Sequence, residues 1–195
     1  LELGGNTFDT ARQYRHSEKA LAEWMEMRKN REKLVILTKA CHPTREESKK
    51  ARVTPQGITE DLLVSLETLK TDYVDLFALH RDDASVEVGP IMETLNEHIR
   101  SGKILAIGAS NWELDRIIAA NEYAEKNGLI GFTFNSPNLS LAKCQIPRWE
   151  GCVSANQEMV DWHEKTNIPL FSWSAQAGGF FSGRFTRDNF DDQEM

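Results

Sequence analysis

Apolar residues follow two spacings along the chain. In six places they form short runs: residues 6–8, 34–38, 73–79, 104–107, 130–134 and 169–173. Such runs predict strands, and strands apolar on both sides belong in a sheet covered on both faces. Between them, apolar residues recur in steps of three and four, which predicts helices with one buried face. Ser17–Arg28 carries Ala20, Leu21, Trp24 and Met25 at that spacing, with Ser17 as N-cap. Residues 55–70 have Thr54 as cap, Pro55 at the first helical position, and Ile58, Leu62, Leu66 and Leu69 as the stripe. Residues 91–101 and 113–127 are each stopped by a glycine, Gly102 and Gly128. Gln157–Thr166 is the fifth helix.

Regular alternation of strand and helix implies a parallel sheet with helices packed on it, an α/β fold. Two architectures satisfy this: an open doubly wound sheet and a (β/α)8 TIM barrel. No G-x-G-x-x-G follows the first strand and no phosphate-binding P-loop occurs, which disfavours a doubly wound dinucleotide fold. The chain has 195 residues, against about 250 for a typical barrel. The expectation is one barrel domain over residues 1–195, truncated at both ends.

Composition narrows the partners. Lys and Arg number 23 and Asp and Glu 30, for a net charge of −7. That balance argues against nucleic acid or an anionic membrane as partner, since both call for a basic face. No apolar run approaches the ~20 residues of a membrane span, and residues 1–6 show no signal-peptide pattern. Three cysteines, Cys41, Cys144 and Cys152, form no C-x-x-C pair, which fits a reducing, cytoplasmic setting. Cys144, Cys152 and His163 match no zinc spacing and lack a fourth ligand, so no metal is expected.

In a barrel the active site is built at the C-terminal strand ends. The polar residues there are Asp9 and Tyr14 after the first run, Lys39 after the second, His80 after the third, Ser110 and Asn111 after the fourth, and Ser174 after the last. Their chemistry is coherent. An ammonium on Lys39, held by Asp9, lowers the pKa of the Tyr14 phenol, while His80 donates a hydrogen bond to an oxygen that becomes negative. Such a set protonates an oxyanion while a hydride reaches carbon, as carbonyl reduction requires. On this view Lys39→Met and Asp9→Asn both raise the pKa of the acid.

The segments Phe8-Asp9-Thr10-Ala11-Arg12-Gln13-Tyr14, Thr38-Lys39 and Asp75-Leu76-Phe77-Ala78-Leu79-His80-Arg81 resemble the aldo-keto reductase family. So do Gly108-Ala109-Ser110-Asn111 and Phe171-Ser172-Trp173-Ser174 with Gly179 and Gly183. The resemblance covers essentially the whole chain. It implies a (β/α)8 barrel that binds NADP(H), or alternatively NAD(H), without a Rossmann motif. It implies a catalytic tetrad of Asp9, Tyr14, Lys39 and His80, with Tyr14 as proton donor to an aldehyde or ketone. It assigns the nicotinamide amide to Ser110 and Asn111, stacking on nicotinamide to Trp173, and the pyrophosphate to the loop of Ser174, Gln176 and Gly183. The family's usual Gln after the sixth barrel strand is replaced by Asn135-Ser136, so Ser136 or Asn135 takes its place. The first and last barrel strands are absent, leaving strands two to seven.

The alternative from another class is a non-catalytic nucleotide-binding subunit acting as sensor or scaffold. A Schiff-base lyase using Lys39 is a third, which leaves Tyr14 and the loop after Trp173 without a purpose. The pocket mouth is expected to be shaped by residues 39–53, by Trp112, and by residues 138–154 with Trp149. Residues 45–52 are expected to be a solvated, mobile loop. The partner implied is a small-molecule carbonyl or alcohol; the sequence indicates neither which one nor an oligomeric state.

Overall fold

Five strands pair side by side in parallel, in chain order. The computed structural model describes residues 1–44, 52–186 and 189, so the segment 45–51 and the acidic tail from Asp191 lie outside the described residues. The strands are β1 (Thr7–Asp9), β2 (Val35–Ala40), β3 (Val74–Leu79), β4 (Ile104–Ser110) and β5 (Phe134–Ser136). The helices between and after them are α1 (Ser17–Arg28), α2 (Pro55–Leu69), α3 (Val88–Arg100), α4 (Leu114–Lys126) and α5 (Gln157–Thr166). A doubly wound sheet reverses its strand order at a switch point. The order here runs β1-β2-β3-β4-β5 without reversal, as it does around a barrel wall.

The local chemistry of several boundaries is visible. Thr54 accepts a hydrogen bond from the Gly57 amide, 3.1 Å, and Pro55 starts α2, so this helix begins where its cap dictates. Gly102 and Gly128 lie just beyond α3 and α4 at positive φ of 73° and 65°, a conformation that glycine adopts without a Cβ penalty. Ser17 is not a cap. His16 precedes the helix, and the Ser17 hydroxyl instead accepts from Thr10, 2.9 Å. The fifth strand begins later than the apolar run at 130–134 suggests. The amides of Ile130 and Phe132 bond the side chains of Asn96 and Asn121, at 2.8 and 2.7 Å, so they are spent before any ladder forms. Residues 169–173 form no regular strand. Leu170 and Trp173 make single bridges to Asn135 and Asn138.

Both faces of the sheet are apolar, and the period of two along each strand sorts the residues. Ile36, Phe77, Leu79 and Ile107 face the helices and join Ile58, Leu62, Ile91 and Leu95 in the main core. Leu37, Ala78 and Phe134 form a second cluster, with Phe171 against it. Gly108 belongs to this second face, where a Cβ would come within 2.5 Å of the buried Phe134 ring. Gly108→Ala is therefore expected to cost about 1–3 kcal/mol, since neither partner can move aside. Chemical denaturation reads this out, and an unchanged midpoint would show that the ring has room.

Asp75, near the start of β3, accepts from the Arg31 guanidinium and from the Ile36 amide, at 2.8 and 2.9 Å. This knot sits at the N-terminal strand ends, the end of the sheet that stabilises rather than reacts.

Candidate active site

Alternation along the strands brings the polar groups together. Leu37 lies on the second face, so Lys39, two residues on, lies there too. The same step carries Ala78 to His80, Gly108 to Ser110 and Phe134 to Ser136. With Asp9 and Tyr14, all of these line one cavity of about 600 Å³. Thr38, between Leu37 and Lys39, points the other way and donates to buried Glu18 of α1, 2.6 Å, which fixes the end of β2.

Lys39 is 2% exposed and its ammonium is hydrogen-bonded to the Asp9 carboxylate and to the Thr10 carbonyl. Asp9 keeps half its side-chain surface in solvent. The ammonium lies over the Tyr14 ring, 5.1 Å from its centroid, and the Tyr14 and His80 rings meet edge to face at 5.6 Å. Burial lowers the Lys39 pKa, and the Asp9 charge opposes that fall.

The expected effect of Lys39 on Tyr14 is not what the structure shows. The Tyr14 pKa is raised, first by burial and then by the Asp9 carboxylate; the cation that pulls it back down is Arg81. Arg81 was visible in the sequence beside His80 but carried no role there. Its proximity to Tyr14 comes from folding, because a turn after β1 and the end of β3 meet over the cavity.

His80 is held neutral. Burial, then the charges of Lys39, His42 and Arg81, push its pKa down to about 2. The His42 ring lies edge to face on it at 4.9 Å. A neutral imidazole can donate one N–H to an oxygen but is no acid at neutral pH. Because the unfolded chain binds this proton near pH 6.5 and the folded chain does not, stability is lost as pH falls from about 6.5 toward 2. Unfolding measured across that range is expected to show a shallower loss in His80→Gln. An equal slope in both proteins would place the effect elsewhere, with His42 and His98, whose pKa values burial also lowers, as its carriers.

Ser110 donates to the Ser136 carbonyl, 2.9 Å. The Asn111 amide is fully engaged: its nitrogen donates to the His80 carbonyl and Ser110 hydroxyl, and its oxygen accepts from the Val153 amide. Of the two residues expected to replace the missing Gln, Ser136 lines the cavity. Asn135 turns to the other face, toward Met159 and His163 of α5. Trp173 and Ser174 line the cavity too, and Trp149 stands 6.2 Å from Trp173, ring to ring. Gln176 and Gly183 do not reach it. Gln176 precedes a 3-10 turn over Ala177–Ser182 and Gly183 ends it. Trp112, expected at the mouth, is wholly buried, donating to the Arg81 carbonyl and packed on Phe132.

A second cavity of about 340 Å³ adjoins the first at Ser174 and is lined by Lys143, Arg148 and Gly178. Ser174, Ala177, Gly178 and Gly179 all have positive φ, and the amides of Ala177 and Gly179 close this turn on the Ser174 and Gln176 carbonyls, at 2.8 and 2.9 Å. The two cations there lie in the long connection after β5, where sequence spacing offers no register to place them.

A family model described as the Aldo/keto reductase family matches residues 1–194. Norsolorinic acid reductase of Aspergillus flavus is 32% identical over 83% of this chain and 44% of its own length. Aryl-alcohol dehydrogenase GME11368 of Pestalotiopsis microspora is 32% identical over 75% of this chain and 40% of its own length. A probable aryl-alcohol dehydrogenase of Saccharomyces cerevisiae is 26% identical over 94% of this chain and 56% of its own length. The chain thus spans about half the length, or less, of these relatives. Among the described residues, no helix is long and apolar enough to cross a membrane.

Proposed function

The chain belongs to the aldo/keto reductase family, and from that premise we propose that it reduces an aldehyde or ketone with NADPH or NADH, or runs the reverse oxidation. The observation that carries this reading is the convergence of Asp9, Tyr14, Lys39 and His80 on one cavity. Relatives named as a reductase and as dehydrogenases support the same class of chemistry.

The nicotinamide supplies the hydride when bound. The residues present suit such a group: Ser136 Oγ and Trp173 Nε1 are buried without a hydrogen-bond partner among the described residues, and both belong to the cavity wall. Ser136 would take the carboxamide and Trp173 the ring face. Lys143 and Arg148 would take the phosphates. Ser110 and Asn111 would then act chiefly by holding the strand ends in place, since their own bonds are largely closed within the protein.

The proton follows from the same geometry. As the substrate carbonyl oxygen gains negative charge, Tyr14 gives it a proton, and neutral His80 donates a hydrogen bond to it. Asp9 keeps the Lys39 ammonium fixed under the phenol ring. The test is loss of reduced-nicotinamide absorbance with a panel of aldehydes. No turnover with any of them, alongside measurable nucleotide binding, would favour the sensor or scaffold role instead.

Binding itself has an optical signature. Nucleotide is expected to quench tryptophan fluorescence, and Trp173→Ala to remove most of the quench. Stacking on a planar base is worth about 1–3 kcal/mol, so affinity falls about 5- to 150-fold. Trp149, close to Trp173, also responds, so Trp149→Phe is the control. A full quench surviving Trp173→Ala would remove that ring from the cofactor wall.

A further inference from the structure

Arg81 is 7% exposed, yet no carboxylate lies within ion-pair distance of it among the described residues. A buried charge without a counter-charge is costly, and proteins keep one where a ligand supplies the match. Among the described residues the guanidinium makes one hydrogen bond, from Nη1 to the His80 carbonyl, 2.7 Å. Nε and Nη2 have no hydrogen-bond partner among the described residues, and the residue lines the same cavity as Tyr14 and His80.

The residue is also braced. Its backbone carbonyl accepts from the Trp112 indole, 3.0 Å. Gly151, at φ 71°, packs so closely that a Cβ there would stand 3.3 Å from Arg81 Cδ. A planar fork with its stem clamped and donors unspent is pre-organised for two oxygens of one anion. Asp9 is committed to Lys39, and Glu150, the other acid on the cavity wall, is exposed at the rim.

We propose that Arg81 is the substrate-selecting residue of the site, binding an anionic oxygen, carboxylate or phenolate, carried on the carbonyl substrate beside its reacting carbon. This rests on the reductase reading above. Arg81 also bears on Tyr14, whose pKa it lowers, so its loss slows neutral substrates too, and the decisive quantity is a ratio.

The experiment compares kcat/KM for 2-carboxybenzaldehyde, salicylaldehyde and benzaldehyde, in wild type, Arg81→Met and Arg81→Lys. The expected result is a fall of about 10- to 100-fold in the anionic-to-neutral ratio in Arg81→Met, the usual loss of a charge-assisted bond, with partial recovery in Arg81→Lys. The larger effect, on the carboxylate or on the phenolate, identifies which anion the site takes. An unchanged ratio overturns the proposal. Benzoate binding, followed by calorimetry, needs no turnover. Binding weakened by Arg81→Met supports the subsite even if no aldehyde is reduced, and binding indifferent to Arg81 refutes it.

Discussion

Tyr14→Phe is expected to lower carbonyl reduction by about 10²–10⁴-fold while leaving nucleotide affinity within a few-fold, because only the proton-donating hydroxyl is removed. The ring stays, so its contacts with the Lys39 ammonium and the His80 imidazole stay as well. The pH dependence carries a sign. Burial and Asp9 raise the Tyr14 pKa, so the phenol remains protonated through neutral pH and reduction holds a plateau there. The reverse oxidation needs the phenolate and should climb with pH past the ordinary tyrosine value of about 10. A Tyr14→Phe protein with near-full turnover would take this residue out of the chemistry.

The Asp9–Lys39 pair should respond unequally to losing one member or the other. Asp9 is half in solvent while Lys39 is 2% exposed. Removing Lys39 leaves a carboxylate that water can hold; removing Asp9 leaves a buried ammonium with only the Thr10 carbonyl. Asp9→Ala is expected to cost roughly 3 kcal/mol, the lower end for breaking a buried pair, and Lys39→Met clearly less. The catalytic signs also diverge. Lys39→Met exposes Tyr14 to an unmatched Asp9 and pushes the phenol pKa further up, whereas Asp9→Asn removes a charge that raises it. The pH profiles of alcohol oxidation should therefore move in opposite directions. Profiles moving together would restore the simpler view in which Lys39 acts directly on Tyr14.

Much of the scaffold could be read before folding because its signals are local. Thr54-Pro55, Gly102 and Gly128 act through neighbouring backbone, and the apolar runs at 34–38 and 73–79 each begin one residue before β2 and β3 and overlap them. The failures are long-range. Asn96 and Asn121 lie within α3 and α4 with nothing local to single them out, yet they bind amides at Ile130 and Phe132 and delay β5. Trp112 follows Asn111 in sequence, but the turn at Asn111 sends its ring into the core. That Asp9, Lys39 and His80 share one mouth with Tyr14 was legible because strand ends of a parallel sheet open on one side and a period of two fixes which residues face it. Arg81 was not, because what distinguishes it is a missing partner.

The connection between Asn138 and Val153 has its two ends tied together. Asn138 donates to the Val153 carbonyl, 2.9 Å, Ala155 donates back to Asn138, 2.8 Å, and Asn111 grips the Val153 amide, 3.2 Å. Everything between these clasps, Trp149 included, hangs from a closed stem. For protein engineering this makes the stretch an exchangeable cassette. Because closing a loop on a fixed stem costs only about 0.6 kcal/mol per doubling of length, inserts of different size and chemistry should graft there without unsettling the strands below.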